Sequence, residues 1–154
     1  CESGGRYSEV HNIEAKHLKP FENGLVADVW EKSVEERPLY FSHSAKYVQE
    51  LMDNGWKHWS FEYHAFYRHL KRVEERLKAS GELREHISVK NHLLRHNHFT
   101  YLSENAELSN GELKIIEGWS ANSKMFQVYG HLNKIKVLKK SAKIIENNPM
   151  VRDF

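Results

Sequence analysis

His92 and Arg95 stand three residues apart in His92-Leu93-Leu94-Arg95-His96, and Tyr129 follows 34 residues after Arg95. On a helix, residues three apart share a face. Arg95 offers a planar fork that can grip two phosphate oxygens. His92 can accept or relay a proton near neutral pH. Trp119, ten residues before Tyr129, adds a neutral N–H donor. A base, an anion clamp, a neutral donor and a hydroxyl nucleophile are the groups that phosphoryl transfer to a tyrosine requires. Taken alone, His-x-x-Arg is equally the pattern of a solvated helix face.

The N-terminal stretch adds a second cation. Gly4-Gly5-Arg6-Tyr7-Ser8-Glu9 puts an arginine at the start of a helix, after a glycine pair that reads as flexible. Glu9 is three residues on, placed to hold the Arg6 guanidinium. Lys32 falls at the end of a predicted strand, five residues before Arg37. A lysine at a hairpin tip can reach into a neighbouring groove.

The elements that must position these groups follow from periodicity. Tyr7 to Leu18 reads as a helix stopped by Pro20. Leu25 to Glu31 and Pro38 to Phe41 read as two strands of a hairpin, with Glu35-Glu36 in the turn. Ser44 caps a helix running to Asn54, with Gly55 as its stop. Phe61, Phe66, Leu70, Val73 and Leu77 give one face of a longer helix ending before Gly81. Ser88 caps the next, with Leu93, Leu94, Phe99 and Leu102 facing inward. Ser109-Asn110-Gly111-Glu112 is a capping-box pattern. Ser123 to Tyr129 reads as a short helix. Lys134 to Asn147 reads as the last, with Ile135, Leu138 and Ile145 apolar. The fold class expected is mainly α (α+β): one helical domain over residues 1–154 with a small antiparallel hairpin.

Composition bounds the partners. The 154 residues are 40% hydrophobic and 29% charged, ordinary for a water-soluble domain. No apolar run approaches the roughly 20 residues that cross a bilayer, so no membrane partner is expected. One cysteine permits no internal disulfide, which fits a reducing, cytoplasmic setting. Net charge is only +2, yet six Lys/Arg face two acids from His131 to Phe154. Lys57, Arg68, Lys71, Arg72, Arg76 and Lys78 form a second basic cluster. Such clusters either follow a phosphate backbone or solvate a helix face. The helix after Asn133 either docks on another copy or packs on its own domain.

Taken in order, these segments resemble the catalytic domain of the tyrosine recombinases, the integrase family. That family carries an arginine in a G-x-R-x-S-E setting, a hairpin lysine with an arginine five residues later, an H-x-x-R-H helix, a G-H or G-W pair, and the tyrosine. The matching residues are Gly4-Gly5-Arg6-Tyr7-Ser8-Glu9, Lys32 with Arg37, His92-Leu93-Leu94-Arg95-His96, Gly118-Trp119 and Tyr129. The wording from Gly118-Trp119-Ser120 to Tyr129-Gly130-His131-Leu132 is most similar to archaeal and archaeal-virus integrases. Departures are Gly5 where an apolar residue is usual, Asn97-His98-Phe99-Thr100 in place of small residues, Trp119 for the commoner histidine, and one extra residue before Tyr129. The helix expected ahead of Arg6 and an N-terminal DNA-binding domain are missing, so the resemblance implies a trimmed catalytic domain.

The resemblance implies metal-free site-specific recombination of double-stranded DNA at attachment sites, by a tetramer of protomers, with no cofactor. Tyr129 would be the nucleophile, Arg6 and Arg95 the phosphate clamps, Trp119 a neutral donor, Lys32 the acid for the leaving oxygen and His92 the base. Tyr7, Tyr40, Tyr47, Tyr63, Tyr67 and Tyr101 compete with Tyr129 for the nucleophile's role. Other readings are a type IB topoisomerase-like activity, a non-catalytic DNA-binding remnant, and a metal site at His92, His96 and His98. Histidines four apart on a helix can bind zinc, but no H-E-x-x-H glutamate follows His92.

Overall fold

The computed structural model describes residues 2–31, 34–104, 107–118 and 134–148, with the backbone alone at 28–31, 34–37 and 134. The described chain is mainly helical with one small sheet. In order it runs α1 (Tyr7–His11), a 3₁₀ turn (Ala15–His17), β1 (Leu18–Phe21), β2 (Gly24–Glu31) and β3 (Val34–Phe41). There follow α2 (Ala45–Asp53), α3 (Tyr63–Ala79), α4 (Asn91–Glu104), α5 (Asn110–Glu117) and α6 (Lys134–Glu146).

The three strands form an antiparallel meander in the order β1-β2-β3. Successive strand residues point to opposite faces, and both faces are used. Leu25 pairs with Phe41 and Ala27 with Leu39; this face packs with Ile13 and Leu18, with Val10 of α1, and with Val48 and Met52 of α2. Val26 pairs with Tyr40 on the other face. There Tyr40 joins Leu102 of α4, Leu113 and Ile116 of α5, and Val137, Leu138, Ala142 and Ile145 of α6 in the larger core. The sheet is therefore a middle layer, with α1 and α2 on one side and α4 to α6 on the other.

Several elements differ from the sequence expectation. The first helix ends at His11, not Leu18, and Leu18–Phe21 is a third strand. Pro20 lies in that strand opposite Leu25. An edge strand tolerates proline, which has no N–H to donate, because one side of the strand makes no ladder bonds, and burying Ile13 and Leu18 against β2 outweighs continuing the helix. Glu35 and Glu36 belong to β3, which begins at Val34, and not to a turn. Ser44 is the N-cap of α2, but its side chain makes no cap bond to the helix. Its hydroxyl donates instead to the buried Glu2 carboxylate, which also accepts the backbone N–H groups of His43 and Ser44. An acid at a helix N-terminus favours the macrodipole.

Helix α4 begins at Asn91, three residues beyond Ser88. Ser88 instead accepts a hydrogen bond from Lys71 at 3.0 Å. Phe61 precedes α3 and is exposed. The Ser109 capping box forms as expected: Glu112 N–H donates to Ser109 Oγ, and the Glu112 carboxylate accepts from Ser109 N–H at 2.7 Å. Of the three apolar residues named on the last helix, Ile135 is 62% exposed, while Leu138 and Ile145 are buried. Helix α6 packs on its own domain. Lys139 pairs with Glu22 at 3.0 Å and Lys140 with Glu112 at 3.2 Å, so two of its lysines staple the fold. The segment Ser123 to Tyr129 lies outside the described residues. Among the described residues, no helix is long and apolar enough to cross a membrane.

Candidate active site

Arg95, in the second turn of α4, draws three segments together. Its Nη1 donates to the Gly4 carbonyl at 2.7 Å. Its Nη2 donates to the Glu117 carbonyl at 2.7 Å and meets the Glu117 carboxylate at 2.9 Å. Nη1 also lies 3.8 Å from Glu9 Oε2. The side chain is only 14% exposed.

Arg6, the N-cap of α1, reaches the same carboxylate from the other side. Its Nη1 is 3.2 Å from Glu9 Oε1, and its backbone N–H donates to Glu9 Oε2 at 2.6 Å. Glu9 thus stands between the two arginines with its side chain 2% exposed. A charge so buried is tolerable only when paired and hydrogen-bonded. Arg6, at 34% exposed, is the more accessible cation.

The glycine pair ahead of Arg6 is wedged rather than loose. Gly4 has φ +60°, and a Cβ there would lie 2.3 Å from the His98 ring. At Gly5 an added Cβ would lie 2.6 Å from Val10 Cγ2 and 2.9 Å from Leu39 Cδ1. An apolar side chain at position 5 would have no room. Gly4 combines a left-handed backbone with a close ring contact, and only glycine meets both demands cheaply. His98 itself is buried at 4% exposure, on the inward side of α4.

Sequence reasoning missed Glu117. It ends α5, just before Gly118, which closes the helix with φ 63°. An acid in the last turn of a helix opposes the macrodipole, and that mismatch was the available signal: another partner must hold it. The partner is Arg95. Two buried carboxylates thus face two guanidinium groups, so these four side chains carry no net charge.

Of the expected site residues, Arg6 and Arg95 are brought together through Glu9. His92 is exposed in the first turn of α4, three residues before Arg95. Lys32, Trp119 and Tyr129 lie outside the described residues; β2 ends and β3 begins on either side of Lys32, and α5 with Gly118 leads directly to Trp119. His96 is exposed while His98 is buried, so the two do not share a surface. Among the described residues no three His, Cys, Asp or Glu side chains converge as a metal centre would require.

The competing tyrosines differ in their surroundings. Tyr40 is 2% exposed and donates to Glu146 at 2.5 Å. Burial and that carboxylate push its phenol well above the ordinary range. Tyr7 adjoins Arg6, yet burial, then the Glu62 and Tyr63 side chains, raise its pKa as well. Both therefore resist becoming phenolates. Tyr101 Oη is 3.5 Å from the Ile144 carbonyl oxygen. Tyr47 is exposed on α2, and Tyr63 and Tyr67 are exposed on α3. No protein-family model, curated protein or solved structure matches this chain.

Proposed function

We propose that this chain is a tyrosine-type site-specific DNA recombinase, an integrase catalytic domain that acts on double-stranded DNA in the cytoplasm. The observation that carries the reading is the convergence of Arg6 and Arg95, drawn from separate motifs, on the single carboxylate of Glu9. Paired guanidinium groups fixed in this way suit the non-bridging oxygens of one phosphodiester. The resemblance to archaeal and archaeal-virus integrases supplies the remaining parts.

In the proposed reaction the Tyr129 oxygen attacks the scissile phosphorus while His92 takes the phenol proton. The bond from phosphorus to the 5′-oxygen breaks, and Lys32 gives that oxygen a proton. A 3′-phosphotyrosyl link holds the bond energy, so no nucleotide or metal cofactor is consumed. The 5′-hydroxyl of a partner strand then attacks the link, releases Tyr129 and joins the strands. Four protomers doing this in turn exchange two duplexes. Arg6, Arg95 and the Trp119 N–H offset charge that grows on the phosphate oxygens. Loss of one such donor typically costs on the order of 10²–10³ in rate.

The test is capture of covalent adducts from a randomised library of nicked duplexes, with a chelator present. Adducts enriched for one sequence, abolished by Tyr129→Phe, are expected. Relaxation of supercoiled plasmid without strand exchange would move the assignment to a type IB topoisomerase. DNA binding without any adduct would reduce it to a binding remnant. Adducts that need a divalent metal would overturn the metal-free mechanism.

A further inference from the structure

A second feature of the molecule lies along α1, α3 and the segment between α2 and α3. One third of the chain's Trp, Tyr and Phe residues fall in the 17 positions from Trp56 to Arg72. Folding turns them into a continuous line of rings. Trp56 and Trp59 lie with centroids 4.5 Å apart, and Trp59 and Phe61 5.7 Å apart. Phe61 meets the His11 ring at 5.5 Å, and His11 stacks on Tyr7 at 5.2 Å. Tyr7 meets Tyr63 edge-on at 4.9 Å, and Tyr63 stacks near Tyr67 at 6.3 Å. A 2.7 Å contact between His11 Nε2 and the Phe61 carbonyl oxygen fixes the bend in the line.

Trp56 anchors one end of the line against the core, and the rings from Phe61 on reach the surface. Phe61, Tyr63 and Tyr67 are 39%, 47% and 41% exposed. Helix α3 buries only Leu70 and Glu74 over its 17 residues. The charges beside the rings are mostly positive: Lys57, Arg68 and Arg72 against Glu62 from Trp56 to Arg72, with Lys71 paired to Glu74. Lys71 Nζ sits 5.7 Å from the Tyr67 ring centroid.

We propose that this ring line, with the cations that flank it, binds an unpaired DNA strand. Exposed aromatic faces in series stack on bare bases, and a positive border follows the phosphates. A duplex hides its base faces and gives such rings nothing to stack on. An apolar protein partner would not call for the surplus of cations. The choice of DNA over RNA rests on the proposed function: Tyr7, inside the line, follows Arg6 directly in the chain, which sets the line beside the strand-transfer residues. The occupant would then be single-stranded DNA opened next to the cleavage site.

The experiment measures anisotropy of a labelled oligo-dT of about 12 nucleotides with the whole chain, beside a duplex and an oligo-rU of equal length. Oligo-dT should bind at least as well as oligo-rU and better than the duplex. The double variant Tyr63→Ala/Tyr67→Ala should weaken dT binding by about tenfold or more, with an unchanged circular dichroism spectrum because both rings are exposed. Arg68→Ala/Arg72→Ala should flatten the salt dependence. Equal dT binding by the folded tyrosine double variant, or binding confined to duplex or to RNA, would overturn the proposal. Adduct formation on nicked duplex is scored separately. Ring-dependent dT binding without adducts sinks the recombinase reading and leaves the strip; adducts without ring-dependent dT binding do the reverse.

Discussion

Arg95 holds together segments that share little else. Its guanidinium donates to the Gly4 and Glu117 carbonyls, meets the Glu117 carboxylate and approaches Glu9. Removing it takes the guanidinium from the buried Glu117 carboxylate, while Glu9 keeps its pairing with Arg6. Arg95→Ala should therefore cost about 3–5 kcal/mol, the usual result of breaking a buried pair from one side, measured by urea denaturation. Arg95→Lys keeps a charge but loses the fork; its adduct yield should fall on the order of 10²–10³ while the fold persists. Gly4→Ala tests the wedge: a Cβ there would meet the His98 ring on a backbone with φ +60°. It should destabilise by about 1–3 kcal/mol, and a melting temperature equal to the parent would refute the close contact.

At the scale of elements, Glu74 shows how α3 is tied to the chain that leads into α4. It pairs with Lys71 at 2.6 Å and Lys78 at 3.0 Å, and accepts the Val89 N–H at 2.9 Å. Those two lysines, Lys71 first, hold its pKa down to about 2 from an ordinary 4.5. A depressed folded-state pKa contributes stability that is fully present above the unfolded value and is lost as pH falls through the folded one. The stability gap between the parent and Glu74→Gln should therefore be constant above pH 4.5 and close between pH 4.5 and 2. Urea midpoints across that range check it. Tyr40 does the same for β3 and α6, and Tyr40→Phe should cost about 1–3 kcal/mol, because its donor serves a charged acceptor.

The same scale shows what could be read beforehand. The Ser109 box, Gly55 as the stop of α2 and the strand from Leu25 to Glu31 depend on neighbours in the chain, so the pattern suffices. Pro20, Ser44 and the Gly4-Gly5 pair do not. Each takes its role from a distant partner: the edge position beside β2, the Glu2 carboxylate, and the His98 and Leu39 side chains. Glu9 was legible because Arg6 is three residues away. Glu117 was not, because its partner lies 22 residues back on another helix.

For the whole molecule, the sheet's two faces decide where function can sit. Both are covered by helices, so the chain offers its edges: the Arg6–Glu9–Arg95 corner and the aromatic border of α1 and α3. The C-terminal basic cluster, in contrast, gives Lys139 and Lys140 to internal pairs. The proposed function requires that a tyrosine of this chain carry DNA during the reaction. The most direct measurement is mass spectrometry of the peptide left attached to DNA after adducts from the nicked-duplex library are digested. A nucleotide phosphate on Tyr129 is expected, formed in the presence of a chelator and absent from Tyr129→Phe. A phosphate on Tyr7, Tyr63 or any serine, or no adduct from a folded chain that binds the duplex, would contradict it.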